Sequence, residues 1–187
     1  MVAPIMVRAV AADTASGDNG PMTSWGEVVE AAPELAEAVR VRFAAGKHCT
    51  LATLRRDGSP RISGTEVEFT AGELWIGSMS GARKLADLLR DPRMALHSPS
   101  TDPPDSSPSD WAGEAKVAGR AVAGTPPPAE PGDEAGDAPV DEAGDAPVDA
   151  GYFRLDLDEV VLTRVVGDEL EITSWHPGRG VETHRRT

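Results

Sequence analysis

Cysteine, positive charge and long apolar runs are scarce in this sequence, and each scarcity excludes a class of protein. Cys49 is the only cysteine among 187 residues, so no disulfide forms within the chain and a reducing, cytoplasmic location is expected. The four histidines lack the spacing of metal ligands, and no metal site is predicted. No apolar run is long enough to span a membrane. Pro4 and Arg8 interrupt the N-terminal stretch that would otherwise resemble a signal peptide.

Basic residues are outnumbered, with 18 Lys and Arg against 31 Asp and Glu and a formal net charge of −13. A chain this acidic is not expected to bind nucleic acid or an anionic membrane. More than half of the net charge comes from Glu130, Asp133, Glu134, Asp137, Asp141, Glu142, Asp145 and Asp149. The octapeptide DEAGDAPV occurs there twice in tandem, at 133–140 and 141–148. We therefore expect residues 125–150 to form a disordered acidic loop, whose charge says little about the ligand.

The rest of the chain divides into one folded domain and two tails. Residues 1–22 show no periodicity, and a disordered N-terminal extension is expected there, with Met22 as an alternative start of the protein. A single domain is expected over residues 23–175, interrupted by the acidic loop and by a loop rich in Ser, Pro and Asp at 98–110. Residues 176–187 are basic and are predicted to be a frayed C-terminal tail.

Turn and cap signals divide the domain into short elements. Ser24 and Glu27 have the spacing of a helix capping box, and Pro33 begins a second helix. A third helix is expected between Gly81 and Pro92. Apolar patterning predicts strands at 48–54, 61–69, 74–78, 94–97, 114–123, 152–166 and 170–175. The fold is therefore predicted to be mostly β with flanking helices, as a barrel of six or seven antiparallel strands.

The strand at 61–69 and the helix that follows Gly81 carry polar residues that a barrel core does not need. Period-two alternation places Arg61, Ser63 and Thr65 on one strand face. The start of the helix is surrounded by Ser78, Ser80, Arg83 and Lys84. Hydroxyls, cations and the free N–H groups of a helix N-terminus together are typical of a phosphate site. A solvated basic first turn is the alternative that composition alone leaves open.

A longer series of motifs adds to this interpretation. The run TLRRDGSPRISGTEVEF, followed by GELWIGSMSGARKLADLLRDPRMAL, resembles the pyridoxamine 5′-phosphate oxidase-like family of split β-barrels, which bind flavins or deazaflavins. The resemblance continues through AKVAGRAV at 115–122, YFRLDLDEVVLTRV at 152–165 and SWHPGRG at 174–180. It covers most of the chain outside the N-terminal extension and the acidic loop. The W-x-P-G-R-G tail is most similar to the short actinobacterial-type branch of the family.

The resemblance implies an FMN or F420 cofactor bound at the interface of a homodimer. Family positions that hold the cofactor phosphate correspond here to Arg61, Ser78, Arg83 and Lys84, with Ser63 and Ser80 close by. Trp175 and Arg179 correspond to positions where the partner chain approaches the cofactor ring. Glu66 stands where true pyridoxamine-phosphate oxidases carry a lysine, and the longer C-terminal portion that completes their pyridoxal site has no counterpart. A vitamin B6 oxidase is therefore not expected.

Three functions are compatible with these features. The first is an oxidoreductase that transfers hydride through FMN or F420 to a small molecule. The second is a flavin- or haem-binding carrier without turnover, and the third is a degenerate barrel that acts as a structural dimer. Two residues also have simpler interpretations. Trp175 is as readily a packing residue as a cofactor contact, and Cys49 is expected to be a buried thiol.

Overall fold

The computed structural model describes residues 22–100, 102–103, 107, 110–125 and 151–187. The expectations for residues 1–21 and 126–150 lie outside these ranges. The described helices are α1 (Trp25–Ala31), α2 (Pro33–Phe43) and α3 (Arg83–Arg90). The described strands are β1 (Cys49–Leu54), β2 (Pro60–Thr65), β3 (Val67–Thr70), β4 (Glu73–Ser78), β5 (Arg93–His97), β6 (Glu114–Gly124), β7 (Gly151–Val166), β8 (Glu169–His176) and β9 (Gly180–Arg186). Within this part of the chain, every helix is too short or too polar to cross a membrane.

The two N-terminal helices form as the cap signals predict. Ser24 Oγ accepts a hydrogen bond from the Glu27 N–H at 3.2 Å, and the Glu27 carboxylate accepts one from the Ser24 N–H at 2.7 Å. This reciprocal pair is the predicted capping box. Pro33 begins α2, where its missing N–H costs no helical hydrogen bond. Val28 and Val39 are fully buried in the core, so the helices pack their apolar faces against the sheet.

One antiparallel sheet contains all the described strands, in the order β2-β1-β5-β6-β7-β4-β3, with β8 beside β7 and β9 beside β8. The long strand β7 makes this branching possible. Along one edge it pairs with β6, and its other edge is shared between two partners. Residues 151–154 pair with β4, whereas residues 160–166 pair with β8. The sheet therefore divides at β7 into a barrel branch and a C-terminal hairpin branch.

The inner face of the barrel holds the hydrophobic core. Leu51, Leu96, Val117, Val160 and Trp175 are registered neighbours on consecutive strands and form one transverse row. Even the most exposed of them, Trp175, is only 4% exposed. The apolar surface that such rows remove from water supplies the main favourable contribution to folding.

The predicted strand at 61–69 is two strands in the structure. Pro60–Thr65 pairs with β1, whereas Val67–Thr70 pairs with β4 at the far end of the strand order. The alternation of side chains continues through Glu66, so the sequence pattern carries no sign of the change of partner. Strands are therefore more numerous than predicted, although the mostly β, antiparallel split-barrel class is confirmed.

The expectation of a frayed tail at 176–187 is wrong for most of that segment. Gly180–Arg186 forms β9, which pairs with β8 along its length. Arg185 Nη2 donates to the buried carboxylate of Glu171 at 2.7 Å, and Arg164 Nη2 donates to the other oxygen at 2.7 Å. Backbone hydrogen bonds to β8 and this ion triad order a strand whose side chains are exposed and mostly polar. Hydrophobic periodicity does not detect such a strand.

Candidate functional site

A cleft of about 620 Å³ lies between the β1–β2 hairpin and helix α3. Its lining is charged almost throughout: Arg55, Arg56 and Asp57 come from the hairpin, Arg61 from β2, and Arg83, Ala86, Asp87 and Arg90 from α3. Spacings of three and four residues place the α3 group on one face of the helix. Five arginines against two aspartates make this arginine cleft positive in a chain that is strongly acidic.

The floor of the arginine cleft is the buried carboxylate of Asp87, whose side chain is 5% exposed. Oδ2 accepts hydrogen bonds from Thr53 Oγ1 at 3.1 Å and from Arg61 Nε at 2.5 Å, and Oδ1 accepts one from Arg90 Nη2 at 3.0 Å. Burial raises the pKa of Asp87, but these three hydrogen bonds outweigh it and hold the pKa below its usual value. Asp87 is therefore ionised at neutral pH and ties α3 to β1 and β2.

Arg61 keeps part of its guanidinium free for a ligand. Its Nε contacts Asp87, whereas Nη1 and Nη2 form no hydrogen bond with any residue that the structure describes. The side chain is 18% exposed and lines the cleft. The two terminal nitrogens of a guanidinium can bind two oxygens of one phosphate or carboxylate at the same time. Arg61 thus has the geometry of a bidentate anion ligand.

The rim of the cleft carries arginines that lack a carboxylate partner within the described ranges. Arg55 donates to Ser59 Oγ at 3.2 Å, which holds its side chain against the hairpin. Arg56 and Arg83 are exposed and form no ion pair with the described residues. Unpaired cations on the wall of a concave surface raise the local concentration of anions. The rim is therefore suited to a negatively charged ligand.

Lys84, predicted to bind phosphate, reaches across the free edge of β2 instead of lining the arginine cleft. Its Nζ donates to the Gly64 carbonyl at 2.8 Å. Burial lowers the pKa of the Lys84 ammonium, and the nearby carboxylate of Glu66 opposes this effect. A ligand phosphate placed beside Lys84 would have to share this ammonium with the Gly64 carbonyl, which an ammonium with three N–H donors permits.

The three predicted serines differ in their surroundings. Ser78 ends β4 and is 7% exposed, and its Oγ has no hydrogen-bond partner among the described residues. A buried hydroxyl in this state costs free energy, so Ser78 Oγ is a candidate donor to a bound ligand. Ser63 is half-buried on the same face of β2 as Arg61, and Ser80 is exposed in the turn before α3.

Trp175 and Arg179 lie apart from the arginine cleft. Trp175 is part of the hydrophobic core, on a strand five steps from β2 in the sheet. Arg179 is exposed in the turn between β8 and β9, where its N–H donates to the His176 carbonyl at 3.2 Å. The single chain does not bring either residue to the other site residues. Their predicted role at a cofactor ring therefore depends on a second copy of the chain.

Asp87, Arg90 and Thr53 are not among the residues that the sequence predicts for the site. A signal for two of them is present, because Arg83, Asp87 and Arg90 recur at helical intervals on α3. That spacing predicts a shared helix face. It does not predict that the face is buried, since acidic residues on a short helix are usually solvated.

A second concave surface lies on the outer face of the barrel. Ala52, Ala95 and Ala118 are registered neighbours on β1, β5 and β6, between Ile62 on one side and Glu159 on the other. Their small side chains leave a depression of about 370 Å³, which we call the alanine trough. Ile62 at its margin is 75% exposed. An exposed apolar area beside charged residues is typical of a surface that another molecule covers.

One end of the alanine trough is polar. Glu114 accepts from Lys116 Nζ at 2.6 Å and lies 3.1 Å from His97 Nε2. Burial raises the pKa of Glu114, and the contacts with Lys116 and His97 outweigh it, so the pKa is lowered. His97 Nδ1 lies 2.7 Å from the Ser98 carbonyl. Lys116 and His97 are thus both in contact with Glu114, whereas Arg56 and Arg83 at the rim of the arginine cleft form no ion pair with the described residues.

Residues 35–133 match the family model described as pyridoxamine 5′-phosphate oxidase, over more than half of the chain. The chain belongs to the pyridoxamine 5′-phosphate oxidase family. The matched segment contains the β1–β2 hairpin, β2 and α3, so every residue of the arginine cleft lies inside the part that defines family membership. Trp175 and Arg179 lie outside it.

Solved structures of low sequence identity share the fold of this family member. PhzG from Burkholderia lata, solved with tetrahydrophenazine-1-carboxylic acid, is 15% identical with a TM-score of 0.54, over 82% of this chain and 88% of that chain. A pyridoxamine 5′-phosphate oxidase-related, FMN-binding protein from Nostoc punctiforme is 11% identical with a TM-score of 0.51, over 83% and 96%.

A conserved hypothetical protein from Mycobacterium tuberculosis is 24% identical with a TM-score of 0.40, over 50% of this chain and 54% of that chain. The match thus spans about half the length of that protein. Among curated proteins, no sequence matches this chain at a significant level.

Proposed function

We propose that this member of the pyridoxamine 5′-phosphate oxidase family is an oxidoreductase that transfers hydride through FMN or the deazaflavin F420 to a small molecule. The observation that carries the proposal is the arginine cleft, in which Arg61 and Arg83 lie together with three further arginines. Both cofactors contain a phosphate that links or terminates the chain attached to the ring. A cleft of guanidiniums beside a helix start is suited to that group.

The free polar atoms of the cleft fit a phosphate better than a neutral ligand. Its two carboxylates are already engaged, Asp87 by arginines and Asp57 by the N–H and hydroxyl of Ser59 at 3.0 and 2.7 Å. The remaining free groups are N–H donors, and a phosphate ester offers oxygens that accept hydrogen bonds. Ser78, which ends β4 and is not part of the cleft lining, has a buried hydroxyl with no hydrogen-bond partner among the described residues.

In this proposal the residues of the chain bind the cofactor and orient it. When bound, FMN or F420 supplies the hydride chemistry. Arg61 and Arg83 would hold the phosphate from within the cleft, and Lys84 would have to reach it from the edge of β2, where its Nζ contacts the Gly64 carbonyl. A phosphate held there would fix one end of the cofactor and thereby the position of its ring. Holding a reactant in one orientation is how remote binding contacts contribute to rate.

The rim arginines bear on the choice of cofactor. Arg61 and Arg83 supply the contacts for a single phosphate within the cleft, which leaves Arg55 and Arg56 without a ligand group. F420 carries carboxylates beyond its phosphate, and those carboxylates would find partners at Arg55 and Arg56. FMN has no corresponding group. F420 is therefore the first cofactor to titrate.

We also propose that the protein is a homodimer in which a second copy covers the alanine trough. Ile62 and Arg61 are adjacent on β2 and point to opposite faces of the strand, so the trough and the arginine cleft lie on the two sides of one strand. A subunit packed on the trough would place this edge of the cleft beside the interface. Arg179, which is exposed in the turn between β8 and β9, would then reach a cofactor site of the partner chain. Trp175 is 4% exposed in the core of its own chain, which favours the packing role for that residue.

The double variant Arg83→Ala/Lys84→Ala tests the phosphate anchor. We expect it to weaken binding of FMN or F420 by about a hundredfold, because two charge-assisted hydrogen bonds are lost. Fluorescence-quenching titrations with purified protein measure the dissociation constants. The matched control is Arg40→Ala/Arg42→Ala on α2, which removes the same charge outside the cleft lining and is expected to leave affinity unchanged. Equal affinity in the wild type and the cleft variant contradicts the proposal.

Turnover distinguishes an oxidoreductase from a carrier. An oxidoreductase that binds F420 or FMN also consumes the reduced cofactor when a suitable acceptor is present, which absorbance at the cofactor band follows. Tight binding without turnover over a panel of acceptors favours the carrier function instead. If the protein binds haem but neither FMN nor F420, the proposed cofactor is wrong.

A further inference from the structure

The floor of the arginine cleft contains a charge of the wrong sign for an anion site. Asp87 is buried and ionised, and it lies within hydrogen-bond distance of two of the five arginines. A carboxylate at this place repels a phosphate through Coulomb's law and lowers the net charge of the cleft. Phosphate binding by itself does not require such a group, so Asp87 needs a different explanation.

We infer that Asp87 is a positioning residue, which fixes the guanidinium of Arg61 so that Nη1 and Nη2 face the phosphate of the cofactor. The inference deepens the proposed function and rests on it, because Asp87 has this role only if the cleft binds phosphate. Asp87 itself touches no ligand in this arrangement. It acts through Arg61.

Three hydrogen bonds from different parts of the fold hold the carboxylate in one orientation. Thr53 donates from β1, Arg61 donates from β2, and Arg90 donates from the last turn of α3 itself. Arg90 Nη2 also donates to the Leu54 carbonyl, so the helix and strand are joined on both sides of the carboxylate. A carboxylate fixed in this way is a rigid reference point for the side chain of Arg61.

The contact with Asp87 uses the part of Arg61 that phosphate binding does not need. Asp87 Oδ2 lies 2.5 Å from Nε, and the terminal nitrogens are free of hydrogen bonds among the described residues. A long arginine side chain otherwise loses rotamer freedom when it binds a ligand. With Asp87 in place this freedom is already lost in the free protein, and a preorganised ligand group binds more tightly.

Removing the negative charge has two opposing effects on phosphate affinity. Loss of repulsion strengthens binding, and loss of the fixed Arg61 orientation weakens it. The repulsion acts over several ångströms and is reduced by salt, whereas the orientation depends on a direct contact. At about 0.5 M salt the Debye length is only about 4–5 Å, which reduces the part of the repulsion that crosses solvent. The part that acts between buried groups is separated from the orientation effect by a double-mutant cycle with Arg61.

The test is a double-mutant cycle between Asp87→Asn and Arg61→Ala. For each of the four proteins the measured quantity is the gain in affinity that the phosphate provides, which we call the phosphate increment. The increment is the dissociation constant of the phosphate-free ring compound divided by that of the cofactor. Riboflavin is compared with FMN, which differs from it only by the phosphate. The phosphate-free deazaflavin core is compared with F420, and there the ratio also contains the tail carboxylates, whose contribution is common to all four proteins of the cycle. The titrations are made at about 0.5 M NaCl for the screening reason above. A variant that merely loosens the fold weakens both ligands and leaves the increment unchanged.

We expect Asp87→Asn to reduce the phosphate increment about tenfold or more in the wild-type background, the size of one charge-assisted hydrogen bond. In the Arg61→Ala background the same substitution is expected to change the increment less than about twofold, because its effect passes through Arg61. Asp91→Asn is the matched control. Asp91 follows α3, pairs with Arg93 at 2.6 Å outside the cleft and has its pKa lowered to about 2, so its loss should leave the increment unchanged.

Several outcomes overturn the inference. An equal change of the increment in both backgrounds shows that Asp87 acts by charge alone, and an increase after Asp87→Asn shows that it opposes binding. If Asp87→Asn does not fold by circular dichroism, Thr53→Val replaces it. That variant removes one anchor of the carboxylate, and a smaller loss that again disappears with Arg61→Ala supports the inference.

The phosphate increment of the wild type distinguishes a failure of this inference from a failure of the proposed function. An increment of about one in the wild type overturns both, since the cleft then does not bind phosphate. A large wild-type increment that Asp87→Asn leaves intact overturns only the role of Asp87.

Discussion

Buried acids in this protein take their roles from the arginines around them, and Glu171 is the clearest case at the residue scale. It is 4% exposed in β8 and accepts hydrogen bonds from Arg164 and Arg185 on the two neighbouring strands. These bonds, the one from Arg164 first, hold the pKa of Glu171 below its usual value. A carboxyl with a lower pKa in the folded state stabilises the fold above its unfolded pKa of about 4.3. This stabilisation disappears as the pH falls through the folded pKa.

Glu171→Gln is therefore expected to destabilise the protein in a pH-dependent way. At pH 7 we expect a loss of about 1 kcal/mol in the free energy of unfolding, a modest value because both guanidiniums are half-exposed to water. Denaturant unfolding between pH 7 and 3 measures the difference from the wild type, which shrinks towards the acid end. Glu68→Gln, an exposed acid on β3, is the control. A difference that stays constant with pH contradicts this account of Glu171.

At the scale of elements, α1 shows how far local chemistry determines structure. Ser24 and Glu27 each satisfy a backbone N–H of the other, and both partners lie within four residues of sequence. Strand β9 shows the opposite case, because it is ordered by β8 and by the contact of Arg185 with Glu171. The first element is visible in a short window of sequence and the second is not.

Ser24→Ala is expected to lower the free energy of unfolding by about 1 kcal/mol through loss of the N-cap. The corresponding fall in Tm is about 2–4 °C for a protein of this size. Thermal unfolding followed by circular dichroism measures it. Because the two side chains form one reciprocal motif, adding Glu27→Ala to Ser24→Ala should cost less than Glu27→Ala costs alone. Additive effects of the two substitutions would show that the box does not act as a unit.

At the scale of the whole molecule, charge is unevenly distributed over the surface. The chain has a net charge of −13, yet the arginine cleft gathers five guanidiniums on one surface. Clefts of one sign focus the field and favour ligands of the opposite sign. The alanine trough on the other side of β2 is mostly apolar, with charged residues at its ends, which fits the proposal that a second copy of the chain covers it.

Ala95→Arg tests the proposed homodimer, since it places a long cation in the centre of the trough. We expect the wild type to sediment as a dimer and Ala95→Arg as a monomer, because a buried unpaired charge is costly at an interface. Sedimentation velocity at several concentrations measures the change. Glu34→Arg on the exposed face of α2 is the control and should remain dimeric. A dimeric Ala95→Arg would place the interface elsewhere on the molecule.

Part of the candidate site could be predicted from the sequence because those residues are close together in the chain. Arg61 and Arg83 line one cleft, whereas Lys84 and the three predicted serines are not part of its lining. Asp87 could not be predicted, since its burial depends on Thr53 and Arg61 from strands far away in the chain. The proposed roles of Trp175 and Arg179 stay predictions, because they depend on a second chain.

The sequence by itself determined the mostly β class, the first two helices and the polar character of the segment from Arg61 to Lys84. Those properties arise from caps, turns and periodicity, which act over a few residues. Only the tertiary structure decided that the strand at 61–69 changes partner near Glu66, that β9 is ordered, and that Asp87 lies beneath the arginines. Each of these depends on contacts between distant residues, and their free energy appears only when the sheet has formed.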